Sequence, residues 1–308
     1  MECATEIKRR DEEETGGIVS NYISDWTLRL IGRDGIFRIS FYGKLGFLKG
    51  RNSHHCSGGF AVDMIKALLC DLGDTLINFR HVNVLEAFYL GARETYIFVQ
   101  KDLKLTPPKF RLYHFYQHWA IRWAYLKSMI TGREFNSVHV LKRCAERMGL
   151  FIPDDQYDEL AWQWYKPLAQ QAVIDPHATA MLEECVRRGL KLAIVSNTFI
   201  PPSALDRHLE QENLLRFFPL RVYSCQFGLK KPRPEIFHHT LDLLEIRPEE
   251  ALFVGDSYPA DIRGARGAGL FAAMKTTHRK KRVKPDRWTY QVETLAEIPV
   301  LIDRINAL

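Results

Sequence analysis

Short apolar runs and longer amphipathic stretches alternate along most of the chain after residue 64. The apolar runs have the length of strands and predict β-strands at 66–71, 191–196, 221–225, 251–256 and 270–275. The later runs are separated by stretches with a helical pattern. Because strands that alternate with helices form parallel sheets, the chain is predicted to have an α/β fold with a doubly wound parallel sheet.

One long interval, 82–172, interrupts this alternation and contains no convincing strand. Apolar residues recur there at the helical spacings of three and four positions, in two groups: Leu85, Phe88, Ala92, Tyr96 and Val99, then Val138, Leu141, Ala145 and Met148. We therefore predict an all-helical domain, inserted into the sheet domain directly after its first strand.

Within the insert, the segment 110–127 interleaves aromatic with basic residues. Such a helix is expected to bury its aromatic face and turn a basic face to solvent, and stacking of nucleobases or sugars is the alternative. His114 and His118 lie one helical turn apart, a spacing that could hold a metal ion. Since the sequence offers no third ligand beside them, we interpret both as surface histidines.

Polar side chains follow three of the predicted strands where each strand ends. Asp71 follows the first strand, Ser196 and Asn197 end or follow the second, and Asp256 closes the fourth. Each has an ordinary structural interpretation as a turn or helix-capping residue. However, open α/β sheets bring the carboxyl ends of their strands together at one edge and bind ligands there. We therefore expect these side chains to converge.

Two further charged residues fit the same edge of the sheet. Lys231 directly precedes a proline, which restricts the backbone and could fix the position of a cation, although a solvated turn is the ordinary interpretation. Asp261 follows Asp256 by five positions, near the start of a predicted helix rich in small residues. Paired carboxylates beside a strand end are ligands that suit Mg²⁺.

The order of these segments resembles the haloacid dehalogenase-like hydrolase superfamily. The matching segments are KALLCDLGDTL (66–76), KLAIVSNT (191–198), GLKKPRPEIF (228–237) and ALFVGDSYPADIRGARGAGL (251–270), and the resemblance covers most of 64–308. It implies a Rossmann-like core with a helical (C1-type) cap, in a phosphatase-like branch of the superfamily. The expected domains are a core of 64–81 and 173–308 and a cap of 82–172.

The resemblance also implies roles for the residues at the sheet edge. Asp71 would be the nucleophile that forms an aspartyl-phosphate, and Lys231, rather than Lys230, would neutralise charge on it. Ser196 and Asn197, with Lys231, would bind the phosphoryl group. The implied cofactor is Mg²⁺, held by four groups: the carboxylates of Asp71, Asp256 and Asp261 and the backbone carbonyl of Gly73.

One position departs from the family pattern. Phosphatases of this superfamily usually carry a second aspartate two residues after the nucleophile, where this chain has Gly73. That residue acts as the general acid and base, and Asp74 is not expected to replace it because neighbouring side chains of an extended segment point in opposite directions. Three functions stay open: a Mg²⁺-dependent phosphohydrolase acting on a small phosphorylated metabolite, a metal-independent 2-haloacid dehalogenase, and a catalytically weakened binding or regulatory protein.

Composition and charge indicate the class of protein and its expected partners. The chain is 46% hydrophobic and 26% charged, as in soluble globular proteins, and no apolar run has the length of a membrane span. Its first residues are charged, so we expect a cytoplasmic location and no membrane partner. The net charge of +6 is concentrated in 275–287, which we interpret as a solvated loop, so nucleic acid is not an expected partner. Nothing in the pattern indicates an oligomeric state.

The first 63 residues have no clear period and no place in the resemblance. Two interpretations are open. Translation could begin at Met64, which directly precedes the first predicted strand, or 1–63 could be a genuine N-terminal extension of unknown role. A peptide from within 11–51 in the natural protein would exclude the later start.

Overall fold

The computed structural model describes residues 64–276 and 286–308. The predictions made for 1–63, and for most of the basic stretch 275–287, lie outside the described residues. Within the described ranges, no helix is both long and apolar enough to cross a membrane.

A parallel sheet of six strands forms the centre of the fold, in the order β5-β4-β1-β6-β7-β8. Its strands are β1 (Ala67–Cys70), β4 (Lys191–Ser196), β5 (Leu220–Tyr223), β6 (Ala251–Gly255), β7 (Phe271–Lys275) and β8 (Thr289–Val292). All five predicted strands are present, with ends that differ by at most two residues. The edge strand β8 was not predicted.

Strand β1 lies in the middle of the sheet because all four of its residues are apolar and buried. Its side chains alternate between two hydrophobic clusters, with Leu68 and Cys70 in one and Ala67 and Leu69 in the other. A strand that is apolar on both faces needs covering layers on both sides, which is the arrangement of a doubly wound sheet. The predicted fold class is confirmed.

Helices cover both faces of the sheet and form a separate inserted layer. In chain order they are α1 (Val84–Lys101), α2 (Phe110–Thr131), α3 (Ser137–Arg147), α4 (Tyr157–Ala169), α5 (Ala178–Arg187), α6 (Pro202–Gln211), α7 (Ser224–Phe227), α8 (Pro234–Leu244), α9 (Arg263–Gly267) and α10 (Ile298–Asn306). Buried residues of α5, α6 and α10 belong to one hydrophobic cluster, and those of α8 and α9 belong to the other.

The inserted layer consists of α1 to α4 and lies between the sheet strands β1 and β4 in chain order. A small antiparallel pair, β2 (Ile77–Asn78) with β3 (Val173–Ile174), lies where the chain leaves the sheet domain and returns to it. This pair was not predicted because strands of two residues are too short to show a period. It brings the two connections between the domains side by side.

Helix α2 differs from the expected arrangement. The prediction of a buried aromatic face and a basic outer face is wrong, because Phe115, Trp119 and Trp123 are on the exposed side. The buried side is formed instead by Tyr113 and Ile121 together with polar residues. The sequence pattern is ambiguous here because α2 carries apolar residues around most of its circumference.

A buried ion pair joins the two connections to the sheet. The Lys275 ammonium, at the end of β7, lies 2.6 Å from Asp175 Oδ2 and donates a hydrogen bond of 2.6 Å to the carbonyl oxygen of Thr75. The Asp175 backbone N–H in turn donates to the carbonyl oxygen of Leu76. Because both charged side chains are almost fully buried, the pair ties the turn after β1 to the segment that returns from the insert.

We expect replacement of Lys275 by methionine to lower the free energy of unfolding by about 3–5 kcal/mol, because the buried Asp175 carboxylate would lose its counter-charge. Urea unfolding measures this change. The matched control is Arg216→Met, which removes an exposed ion pair with Glu183 and should cost less than about 1 kcal/mol. Equal losses in the two variants would contradict a structural role for the buried pair.

Candidate active site

The turn after β1 presents Asp71 at the carboxyl edge of the sheet. Its backbone N–H continues the pairing of β1 with β6 by donating to the carbonyl oxygen of Val254 at 2.9 Å. The Thr75 hydroxyl, which is completely buried, lies 3.4 Å from Asp71 Oδ2. These contacts hold a carboxylate that is only 7% exposed at the end of a rigid strand.

Lys231 provides a buried cation directly beside this carboxylate. Its Nζ lies 2.7 Å from Asp71 Oδ1 and 2.7 Å from Asp261 Oδ1. The same ammonium donates a hydrogen bond of 2.8 Å to the carbonyl oxygen of Val195. Three segments far apart in sequence therefore meet at one nitrogen atom.

The neighbouring lysine has a different partner. Lys230 Nζ donates a hydrogen bond of 2.8 Å to Ser128 Oγ, in helix α2 of the insert. Lys231, and not Lys230, is therefore the lysine in contact with Asp71.

Asn197 has a role that the sequence did not indicate. Its side-chain amide donates to the carbonyl oxygen of Lys231 at 2.9 Å, and its Oδ1 accepts a hydrogen bond of 2.8 Å from the Lys231 backbone N–H. Both polar groups of the amide are thus engaged with the lysine's backbone. The side chain therefore positions Lys231, and substrate binding by Asn197 stays a prediction that would involve its backbone N–H. Ser196 ends β4 beside it and is 4% exposed.

Asp261 reaches the site from a turn of π-helix, Tyr258–Ile262, that follows β6. Its Oδ2 accepts a hydrogen bond of 2.8 Å from the Ser257 backbone N–H. The carboxylate packs directly over Gly255, where an added Cβ would lie 2.5 Å from Asp261 Cγ. The close approach therefore requires a glycine at the end of β6.

Three carboxylates come together at this point. Oxygen atoms of Asp71, Asp256 and Asp261 lie within 4.8 Å of one another, and all three residues are buried. The three carboxylates offer only oxygen ligands, which hard cations such as Mg²⁺ require. Their combined negative charge exceeds the positive charge of the buried Lys231 ammonium. The cluster fits a divalent cation. Gly73 lies half-buried in the adjoining turn, and the role of its carbonyl as a ligand stays a prediction.

Burial and charge act in opposite directions on these groups. Burial, together with the nearby charge of Asp261, raises the pKa of Asp71 to about 6 against the lowering effect of Lys231. Burial likewise raises the pKa of Asp261. Burial alone would lower the pKa of Lys231, but the charges of Asp261 and Asp71 outweigh this and raise it. The ammonium therefore stays protonated at neutral pH.

Arg80 is a site residue that the sequence analysis missed. Its Nη2 lies 3.3 Å from Asp256 Oδ2, and its Nε lies 3.5 Å from Asp74 Oδ2, is buried and makes no hydrogen bond. Asp74 has a left-handed backbone and accepts a hydrogen bond from the Phe79 N–H. Arg80 is in the loop after the two-residue strand β2, so periodicity gave no indication of it.

The described site can now be compared with known proteins. A family model for hydrolases, described as haloacid dehalogenase-like hydrolase, matches residues 65–269. The bovine (Bos taurus) haloacid dehalogenase-like hydrolase domain-containing protein 3 is 37% identical over 117 residues, covering 37% of this chain and 45% of that protein. Phosphoserine phosphatase of Thermus thermophilus is 40% identical over 97 residues, covering 32% of this chain and 38% of the enzyme.

The fold has a solved counterpart as well. A 2-haloacid dehalogenase from Pseudomonas syringae superposes with a TM-score of 0.54 at 20% identity, over 78% of this chain and 99% of that one. At this identity the likeness concerns the fold alone. The chain spans less than half the length of the two sequence relatives just described.

Gly255→Ala should displace Asp261, because the new Cβ cannot lie 2.5 Å from the carboxylate carbon. We expect a loss of about 1–3 kcal/mol in the free energy of unfolding, measured in urea. Gly267→Ala is the matched control, since nothing lies within 4 Å of its added Cβ, and it should be neutral or stabilising by up to about 1 kcal/mol. If both variants unfold like the wild type, Asp261 does not depend on Gly255.

Proposed function

Because the chain belongs to the haloacid dehalogenase-like hydrolase family, we propose that it is a Mg²⁺-dependent phosphohydrolase. Its substrate would be a small phosphorylated metabolite in the cytoplasm, cleaved through an aspartyl-phosphate intermediate. One of its sequence relatives is named a phosphoserine phosphatase, which supports phosphate-ester hydrolysis as the type of reaction.

The observation that carries the proposal is the cluster of Asp71, Asp256 and Asp261 around a single buried lysine. Three carboxylates in one buried place repel one another and would repel an anionic substrate. Such a cluster is suited to bind a divalent cation, whereas a metal-independent dehalogenase would gain nothing from it. The charge of the site therefore favours the phosphohydrolase over the dehalogenase.

The residues can be assigned to the steps of the reaction. The Asp71 carboxylate attacks phosphorus. Lys231 donates a hydrogen bond to Asp71 Oδ1 and so fixes the orientation of the carboxylate. A bond forms between Asp71 and phosphorus, and the bond from phosphorus to the leaving oxygen breaks. Water then attacks phosphorus, which releases inorganic phosphate and restores the carboxylate. When bound by the three aspartates, Mg²⁺ supplies positive charge that offsets the repulsion between carboxylate and phosphate.

The cap would exclude water and select the substrate. Phe199, three residues after Ser196, stacks on Phe135 of the insert with ring centroids 4.9 Å apart. The Phe199 carbonyl oxygen accepts a hydrogen bond of 2.8 Å from the backbone N–H of Ser137, at the start of α3. These contacts between the insert and the segment after Ser196 support the proposal that the insert acts as a cap.

Hydrolysis of an aryl phosphate should require Mg²⁺ and should be abolished by EDTA. Asp71→Asn should lower kcat by at least roughly 10³-fold while leaving the circular dichroism spectrum unchanged, because an amide cannot act as the nucleophile. The matched control is Asp303→Asn, on the surface helix α10, which should keep full activity. Halide release from a 2-haloacid in EDTA would instead support the dehalogenase.

The missing acid at Gly73 can be tested directly. An added Cβ at Gly73 meets no atom within 4 Å, so the first atom of an aspartate side chain has room there. Gly73→Asp should raise kcat several-fold or more with an alkyl phosphate, whose leaving group needs a proton, and much less with an aryl phosphate. The control Gly73→Asn has the same size but carries no acid, and should give no gain.

A fall in activity for both Gly73 variants would mean that the site depends on the open space, and would contradict the interpretation of Gly73 as a lost acid. No turnover of any phosphate by the wild type, together with tight binding of one, would support the weakened binding protein.

A further inference from the structure

Helix α2 presents a row of large apolar side chains to solvent. The row consists of Leu112, Phe115, Trp119, Trp123, Leu126 and Ile130. Their exposure ranges from 40% for Leu126 to 78% for Ile130, with Trp123 at 65%. The opposite side of the same helix is buried in the cap through residues such as Tyr113 and Ile121. Helix α2 therefore has one buried face of mixed polarity and an opposite apolar face that the described residues leave uncovered.

The exposed row is too large for an ordinary surface patch. Its exposed area amounts to roughly 700 Å², whereas the largest apolar patch of a typical monomer is about 300–600 Å². It is also close to the roughly 800 Å² that each partner contributes to a stable protein–protein interface. The row alone therefore supplies most of the area that a stable dimer needs from each partner.

The shape of the row indicates what covers it. At about 100° per residue, the six side chains occupy roughly 80° of the helix circumference, along the 22 residues of α2. Met129, which is 43% exposed on the same helix, lies about 40° beyond one edge of the row and widens the apolar face there. The six side chains themselves follow one line along the helix, which is typical of a seam between two helices.

We propose that this face is the interface of a homodimer, in which α2 packs antiparallel against α2 of a second copy. The row is nearly symmetric about Ile121, so an antiparallel partner places Trp119 opposite the second copy's Trp123. The same register places Leu112 opposite the second copy's Ile130. Phe115 lies one position away from the second copy's Leu126 in this register, so the six side chains pair with one another with a single small offset, as a self-complementary two-fold interface requires.

The charged residues of α2 lie beside the row rather than within it. The Arg122 guanidinium lies over the Trp119 ring, 5.7 Å from its centroid, and Lys127 is on the other flank. No carboxylate is present in α2. In the dimer these cations would form a solvated rim, where like charges cost little. An acidic lipid surface is the competing occupant of this face, and binding to anionic vesicles distinguishes it from a second copy of the chain.

Light scattering after size exclusion should give the full-length chain a mass of twice 35.8 kDa. Trp123→Glu should raise the dimer dissociation constant by at least roughly 30-fold and yield the monomer, since buried tryptophans dominate such interfaces. Val300→Glu is the matched control, because Val300 is 69% exposed on α10 and lies outside the row. It should leave the dimer intact, as should Trp123→Phe.

Cysteine cross-linking tests the antiparallel register. Arg122→Cys, next to the symmetry centre, should form a disulfide with the same residue of the second copy, identified by mass spectrometry. Leu112→Cys should not, because an antiparallel partner brings Ile130 to it. Cross-linking at both positions would overturn the antiparallel register. A wild-type chain that stays monomeric, or dimers that persist in Trp123→Glu, would overturn the proposal, and Trp123-dependent binding to anionic vesicles would assign the face to a lipid surface instead.

Discussion

The buried ammonium of Lys231 is the constraint on which the site depends. A charge removed from water is tolerated only when it is fully compensated, and here the carboxylates of Asp71 and Asp261 and the carbonyl oxygen of Val195 all lie within 2.8 Å of it. These acceptors come from three separate segments, and Asn197 fixes the lysine backbone from β4. The cost of leaving this cation unpaired therefore forces distant segments into one arrangement. The same arrangement orients the carboxylate that is proposed as the nucleophile.

The negative charge of the buried site exceeds its positive charge. Three buried aspartates face one buried lysine, and Arg80 adds a second cation near Asp256 at a longer distance of 3.3 Å. Burial raises the pKa of Asp71 and of Asp261, so ionisation of these carboxylates is less favourable in the protein alone than in water. In the proposed function, a divalent cation held by the three aspartates would supply the missing positive charge.

The sequence predicted those site residues that stand at the end of a recognisable apolar strand. An apolar strand that ends in a carboxylate has a visible signature, so Asp71, Asp256 and the strands before them were found. The hydrogen bonds of the Asn197 side chain were not predicted, because a side chain that bonds the backbone of a residue 34 positions away leaves no trace in spacing. Arg80 and the ion pair of Lys275 with Asp175 were missed for the same reason. The outward face of α2 was predicted wrongly, because periodicity indicates the more apolar side of a helix. In α2 that side is exposed, while the buried side includes polar residues.

Within two of the matching segments, some residues contact the site and their neighbours contact the insert. Lys231 faces Asp71, while Lys230 reaches Ser128 on the buried side of α2. Ser196 lies at the sheet edge, while Phe199 stacks on Phe135 of the insert. Because the segments that contain Lys231 and Ser196 also contact the insert, a movement of the insert would act on two of the segments that build the site. Helix α2 takes part in these contacts through Ser128 and presents its other face outward, so a second copy bound there would act on the same element that Lys230 holds against the core.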